Sequence, residues 1–89
     1  MASILIQQKV KDFSAWKDIY ESKSGFRASS GALSSQVYRT ADDPNQVTLI
    51  FKWDSLANAR KFATSPQLKA SMEEAGVLGA PSVSFLTEA

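Results

Sequence analysis

The chain has 89 residues, a net charge of +1 with the signs mixed, 44% hydrophobic side chains, and neither histidine nor cysteine. No basic run offers the surface that phosphates demand, so a nucleic-acid partner is not expected, and no apolar run approaches the roughly 18 to 20 residues that span a bilayer. Without His and Cys there can be no disulfide, no standard zinc site, no Ser-His-Asp triad and no haem ligand of the usual kind.

Residues 3–10 read as a first strand, with Ile4, Ile6 and Val10 on one face and Leu5, Gln7 and Lys9 on the other. Gln8 falls on the apolar face, which is unusual. A helix starts near Asp12, whose carboxylate can accept from the first free N–H groups. Phe13, Trp16 and Tyr20 form one helical stripe, and Lys23 and Arg27 continue its line. Gly25 weakens the last turns by about 1 kcal/mol relative to alanine. Gly31 is a natural left-handed stop. A second strand runs over 33–40, and the Asp/Pro/Asn-rich stretch 41–46 makes a turn. In the third strand, 47–53, Val47, Leu49, Phe51 and Trp53 share a face.

A second helical region begins at Asp54 or Ser55, with Leu56, Ala59, Phe62 and Ala63 on its apolar side. Pro66 cannot donate within a helix but suits the first position of a new one, with Ser65 as cap. Two short helices, 55–64 and 66–75, are therefore expected to meet at a bend. Leu68, Met72 and Ala75 face inward on the second, which is free to act as a lid. Gly76 stops it, 77–81 is a loop, and 82–87 is the last strand.

The order strand-helix-strand-strand-helix-strand makes an α+β domain over residues 1–89. It is the ferredoxin-like βαββαβ plait, a four-stranded antiparallel sheet with helices on one face. Ile4, Ile6, Val37, Leu49, Phe51, Trp53, Val83 and Phe85 should lie under the helices. The opposite face carries Leu5, Tyr38, Ile50 and Leu86 among polar residues and is too apolar to leave bare. Packing against a second copy would make a homodimer, and so small a chain has reason to use one. The first residues are too short for a signal h-region, which leaves the cytoplasm as the expected location.

Asp42-Asp43 and Glu73-Glu74 read as a solvated turn and a solvated helix face, so no metal site is expected. There is no glycine-rich phosphate loop. An aromatic and polar cluster remains: Gln8, Trp16, Tyr20, Arg27, Arg39, Trp53, Phe62 and Met72. A cavity between sheet and helices lined by these would suit a flat aromatic molecule with polar edges. Such an aromatic stripe, with Trp16, Tyr20, Phe62 and Met72, is more often core than ligand contact. Gln8 and Arg39 need a partner, solvent or a ligand, because a buried unpaired polar group costs several kcal/mol. Arg39 is expected at the pocket mouth beside Trp53, unless it pairs with Asp42 or Asp54.

Trp16-Lys17 after the Asp-Phe cap, Tyr38-Arg39 before Asp42-Asp43-Pro44-Asn45, and Trp53-Asp54 with Ala59, Phe62 and Ser65-Pro66 resemble the dimeric α/β-barrel superfamily. The nearest resemblance is to small antibiotic-biosynthesis-monooxygenase-like and cyclase-like bacterial proteins, over essentially the whole chain. It implies a homodimer that binds an aromatic or polyketide-type molecule and oxidises it without a cofactor. The substrate anion itself activates oxygen in such enzymes, and the protein supplies a dry pocket and a group favouring the anion. Carried onto this chain, Arg39 holds a phenolate, Gln8 or Tyr20 orients it, and Trp16 and Trp53 stack on it. The family's pocket residues are Asn, Trp and Arg, and Asn45 and Asn58 lie in a turn and on a helix. Haem-degrading members use an axial histidine, absent here. A cyclase or isomerase would need Tyr20, Tyr38 or a carboxylate for proton transfer. A non-catalytic ligand-binding or structural dimer is the third reading.

Overall fold

In the computed structural model, residues 2–89 are described. The period-two runs form β1 (Ala2–Val10), β2 (Ala32–Thr40), β3 (Asp43–Trp53) and β4 (Val77–Thr87), and the helical runs form α1 (Phe13–Ser22), α2 (Ser24–Ser30), α3 (Leu56–Ala63) and α4 (Pro66–Ala75). The sheet is antiparallel in the order β2-β3-β1-β4. This is the ferredoxin-like arrangement, with each helical region divided into two pieces.

Local chemistry sets the helix ends. The Asp12 carboxylate accepts from Ala15 N–H, and Ser55 Oγ accepts from Asn58 N–H, so Ser55 and not Asp54 is the cap. Ser65 Oγ accepts from Leu68 N–H with Pro66 in the first turn, so the break in the second region stands where proline requires it. Gly31 and Gly76 close α2 and α4 in the left-handed conformation, at φ 114° and 80°.

The first helical region departs from expectation. It does not run unbroken toward Gly31 but breaks at Lys23. Ser22 Oγ donates to the Ile19 carbonyl at 2.7 Å, and Arg27 donates to the Tyr20 carbonyl at 2.8 Å. Side chains thus take over acceptors that serve the helix ladder, next to the weak helix former Gly25.

Two strands are longer than expected. β3 starts at Asp43, because Asp43 Oδ1 accepts from Asn45 N–H and tightens the turn to Ala41 and Asp42. β4 starts at Val77, because the stretch read as a loop pairs again with β1 at Val10↔Val77 and Lys9↔Leu78. Gly79, at φ 70°, and Pro81 lie in the bulge between that pairing and Gln7↔Ser82.

The core lies between the helices and the two central strands. It is built from Ile4, Ile6, Val47, Leu49, Phe51 and Trp53 below and Trp16, Ala59 and Phe62 above. Val83 and Phe85, expected under the helices, are more than a third exposed. They belong to an edge strand, and the burial of β1 and β3 places the helical layer over the centre of the sheet. On the other face, Leu5 and Ile50 are half-buried and Tyr38 and Leu86 exposed. Among the described residues no helix is long and apolar enough to cross a membrane.

Two glycines, Gly25 within α2 and Gly31 at its C-terminal end, should respond oppositely to alanine. A Cβ at Gly31 would stand 2.7 Å from Asp54 Oδ1 at a strained φ, whereas one at Gly25 would meet nothing within 4 Å. Urea denaturation should find Gly31→Ala less stable by about 1–3 kcal/mol and Gly25→Ala more stable by about 0.4–1 kcal/mol.

Candidate functional site

A cavity of about 60 Å³ lies between the sheet and the helices. Six of the eight side chains singled out in the sequence line it: Gln8, Trp16, Tyr20, Arg27, Phe62 and Met72. Each element contributes through its own periodicity. β1 and β3 supply Gln8 and Phe51 from their inner faces, and α1 supplies Trp16 and Tyr20 one turn apart. Leu68, Ser71 and Met72 close the cavity from α4.

The aromatic walls are stacked. Trp16 and Tyr20 lie 5.0 Å apart at 19°, and Tyr20 and Phe51 6.3 Å apart at 17°. Tyr20 is also tethered at its hydroxyl, which donates to Ser35 Oγ at 2.8 Å. Phe62 packs against Phe26, Phe51 and Trp53 and ties the walls to the core.

Arg27 is the charged group of the site that has no countercharge. Its guanidinium sits 3.8 Å from the centre of the Tyr20 ring and donates to the Tyr20 carbonyl. In a continuous helix the seven-residue step from Tyr20 to Arg27 would separate them by roughly 10 Å along the axis. The break at Lys23 is what folds Arg27 back. Ion pairs among the described residues join Lys9 to Asp43, Lys17 to Glu21 and Lys23 to Glu74, and none includes Arg27. Burial pushes its pKa below the usual guanidinium range, with a smaller opposing effect from Tyr20. The group remains a cation at neutral pH, desolvated and with donors to spare.

Gln8 is buried, and its amide Oε1 has no donor among the described residues. Lys23 also borders the cavity and bonds Glu74 at 3.4 Å, linking α1 to α4. Among the described residues no carboxylate lines the cavity, and no group of three or more His, Cys, Asp or Glu could hold a metal ion.

Two expected side chains stand elsewhere. Arg39 is exposed on the edge strand β2. Its Nε donates to the Pro44 carbonyl at 3.0 Å and its guanidinium covers the Phe13 ring at 4.0 Å. It pins the β2–β3 turn to the start of α1, beside the bond from Phe13 N–H to Asn45 Oδ1. Neither Asp42 nor Asp54 is its partner. Trp53 is fully buried below Phe62, 4.8 Å from it, outside the cavity, and its indole Nε1 has no acceptor among the described residues. Sequence reading left out Lys23, although it continues the line of Trp16 and Tyr20, and missed Phe26, which reaches the cavity from α2.

A βαββαβ sheet roofed by helices, with a cavity between the layers, is the protomer architecture of the dimeric α/β-barrel class. Within that class, the sequence profile for antibiotic biosynthesis monooxygenases matches residues 7–74, and the chain belongs to that family. Solved structures agree in fold. A candidate antibiotic biosynthesis monooxygenase from Bordetella bronchiseptica has a TM-score of 0.83 at 13% identity, covering 99% of this chain and 96% of that one. SnoaB, a cofactor-independent oxygenase from Streptomyces nogalater, has 0.81 at 14%, covering 99% and 92%. Rv0793 from Mycobacterium tuberculosis has 0.74 at 16%, covering 99% and 94%. At such identities the likeness is one of fold alone. A search of curated proteins finds no match.

Arg39→Ala should separate architecture from site. It removes an exposed cation–π contact and one hydrogen bond, so the denaturation midpoint should fall by the equivalent of about 0.5–1 kcal/mol. Binding of aromatic anions per folded molecule should not change.

Proposed function

We propose that the cavity binds the anion of a hydroxylated aromatic molecule and that the protein oxidises it with dioxygen, using no cofactor. The observation that carries this reading is Arg27: a half-buried guanidinium on an aromatic wall, with no carboxylate beside it. A desolvated cation without a countercharge favours an anionic oxygen, and the flat walls of Trp16, Tyr20 and Phe51 favour a ring. Membership of the antibiotic biosynthesis monooxygenase family supports the same chemistry, and SnoaB, which shares the fold, is named a cofactor-independent oxygenase.

In that reaction an ionised phenol with an open ring position supplies the electrons. A ring carbon bonds to one oxygen atom of dioxygen, and the O–O bond breaks. The second oxygen atom leaves as water, taking the ring hydrogen and one proton from solvent, which replaces the proton released when the phenol ionised, and a quinone remains. Arg27 holds the phenolate oxygen and lowers the cost of ionisation. The apolar walls exclude water from the reacting carbon. A cyclase or isomerase is less well served. The Tyr20 hydroxyl is committed to Ser35, Tyr38 lies on the opposite sheet face, and the cavity has no carboxylate.

At about 60 Å³ the cavity is smaller than the roughly 150 Å³ that accepts a benzene ring. A ring must therefore part the helical layer to enter. α4 is the movable wall. Its two ends are the Ser65-Pro66 break and left-handed Gly76, and Leu68 and Met72 also border a wider cleft between α4 and β4.

The outer sheet face, with Leu5, Tyr38, Ile50 and Leu86, is the proposed contact with a second copy. Ile50→Lys would place an unpaired charge in it. Sedimentation at micromolar concentration should find the wild type dimeric and the variant monomeric, and a monomeric wild type would refute this contact.

Arg27→Met keeps much of the stem and removes the charge. The affinity for 1-naphtholate, read by tryptophan fluorescence, should fall about tenfold or more, the loss of one charge-assisted bond. Oxygen consumption with hydroxynaphthalenes should fall with it, while stability holds or rises because a desolvated charge is gone. Unchanged binding and turnover would refute the reading, and binding without turnover in the wild type would make this a ligand-binding protein.

A further inference from the structure

Gln8 is the polar side chain of the inner sheet face that the proposed reaction leaves without a task. It is 5% exposed and lines the cavity. Its neighbours on that face of β1, Ile6 and Val10, are buried and apolar. Its Oε1 has neither solvent contact nor a donor among the described residues. An acceptor buried in this way costs stability that leucine or methionine at the same place would not. The backbone singles out the same point. Gln7 pairs with Ser82 and Lys9 with Leu78, so β4 bulges out where Gln8 stands. Bulges re-aim side chains and gather at ligand sites.

We propose that Gln8 is the specificity-determining residue of the cavity. Its amide oxygen accepts a hydrogen bond from a second polar group, an O–H or N–H, on the ring whose anionic oxygen Arg27 holds. This rests on the proposed function and narrows its substrate class to aromatic anions that also carry a donor. Arg27 offers only donors, so it selects the ionised oxygen. The Gln8 oxygen is an acceptor, so it selects a hydroxyl or amine elsewhere on the ring. A ring without that donor leaves the oxygen unpartnered in the complex as well, and sites built to bond a substrate hydroxyl reject analogues lacking it strongly. The parting of α4 that admits the ring also uncovers Gln8, since Leu68 and Met72 border the same cavity.

The test compares wild type with Gln8→Met, which keeps the reach of the side chain and removes the amide. Affinities for 1-naphthol and its dihydroxynaphthalene isomers are measured by tryptophan fluorescence, without oxygen and in mildly alkaline buffer, and stability by urea denaturation. The wild type should bind at least one dihydroxy isomer about tenfold or more tighter than 1-naphthol. Gln8→Met should bring the two within about twofold by weakening the dihydroxy compound, with 1-naphthol affinity held. Its denaturation midpoint should rise. If the wild type binds 1-naphthol as tightly as every dihydroxy isomer, the role assigned to Gln8 is wrong while the aromatic-anion reading stands. A lower midpoint in Gln8→Met also overturns the proposal, since it would mean that the amide oxygen already has a partner. If the wild type binds none of the compounds, the proposed function falls and this inference falls with it.

Discussion

The contact between the Arg27 guanidinium and Tyr20 organises the helical side of this molecule. A cation drawn halfway out of water is costly, and no carboxylate offsets it. The ring at 3.8 Å and the Tyr20 carbonyl at 2.8 Å compensate in part. Both partners belong to one residue, so Tyr20 must be held still, and it is gripped from three sides. Trp16 stacks on it, Phe51 lies beyond its ring, and Ser35 holds its hydroxyl. The break at Lys23 is what permits this contact, because Arg27 reaches that carbonyl only if the helix folds back.

This arrangement explains why one arginine suits a binding role and another does not. Arg39 has a backbone carbonyl and an aromatic face on the open surface, where solvent satisfies its remaining donors. Arg27 has a similar pair of partners but faces a cavity with apolar walls. Exposure and surroundings, not residue type, divide their roles. The surrounding fold is shared by the family and does not by itself specify a substrate.

Much of this was legible in the sequence because it rests on local rules. The caps at Asp12 and Ser65, the stops at Gly31 and Gly76, the proline break and the alternation of β1 and β3 each depend on few neighbouring residues. The inward positions of Gln8, Trp16, Tyr20, Phe62 and Met72 follow from the same periodicities. What escaped depends on tertiary contact. The fold-back of α2 needs the Tyr20 carbonyl as a partner, the early start of β4 needs β1 to pair with it, and the exposure of Phe85 depends on where the helices settle. Trp53 was on the expected face, but Phe62 lies between it and the cavity region, a matter of packing that strand alternation cannot reveal.

Whether Arg27 is the anion-binding group can be asked of its own nitrogen atoms. In ¹⁵N-labelled protein, the guanidinium resonances of Arg27 should be followed while 1-naphtholate is added and tryptophan fluorescence reports occupancy. The account predicts that the Arg27 resonances shift and saturate at the same ligand concentration as the fluorescence, with those of Arg39 unmoved. A fluorescence change that saturates while the Arg27 resonances stay in place would contradict it, because a ring would then occupy the cavity without its oxygen meeting the charge.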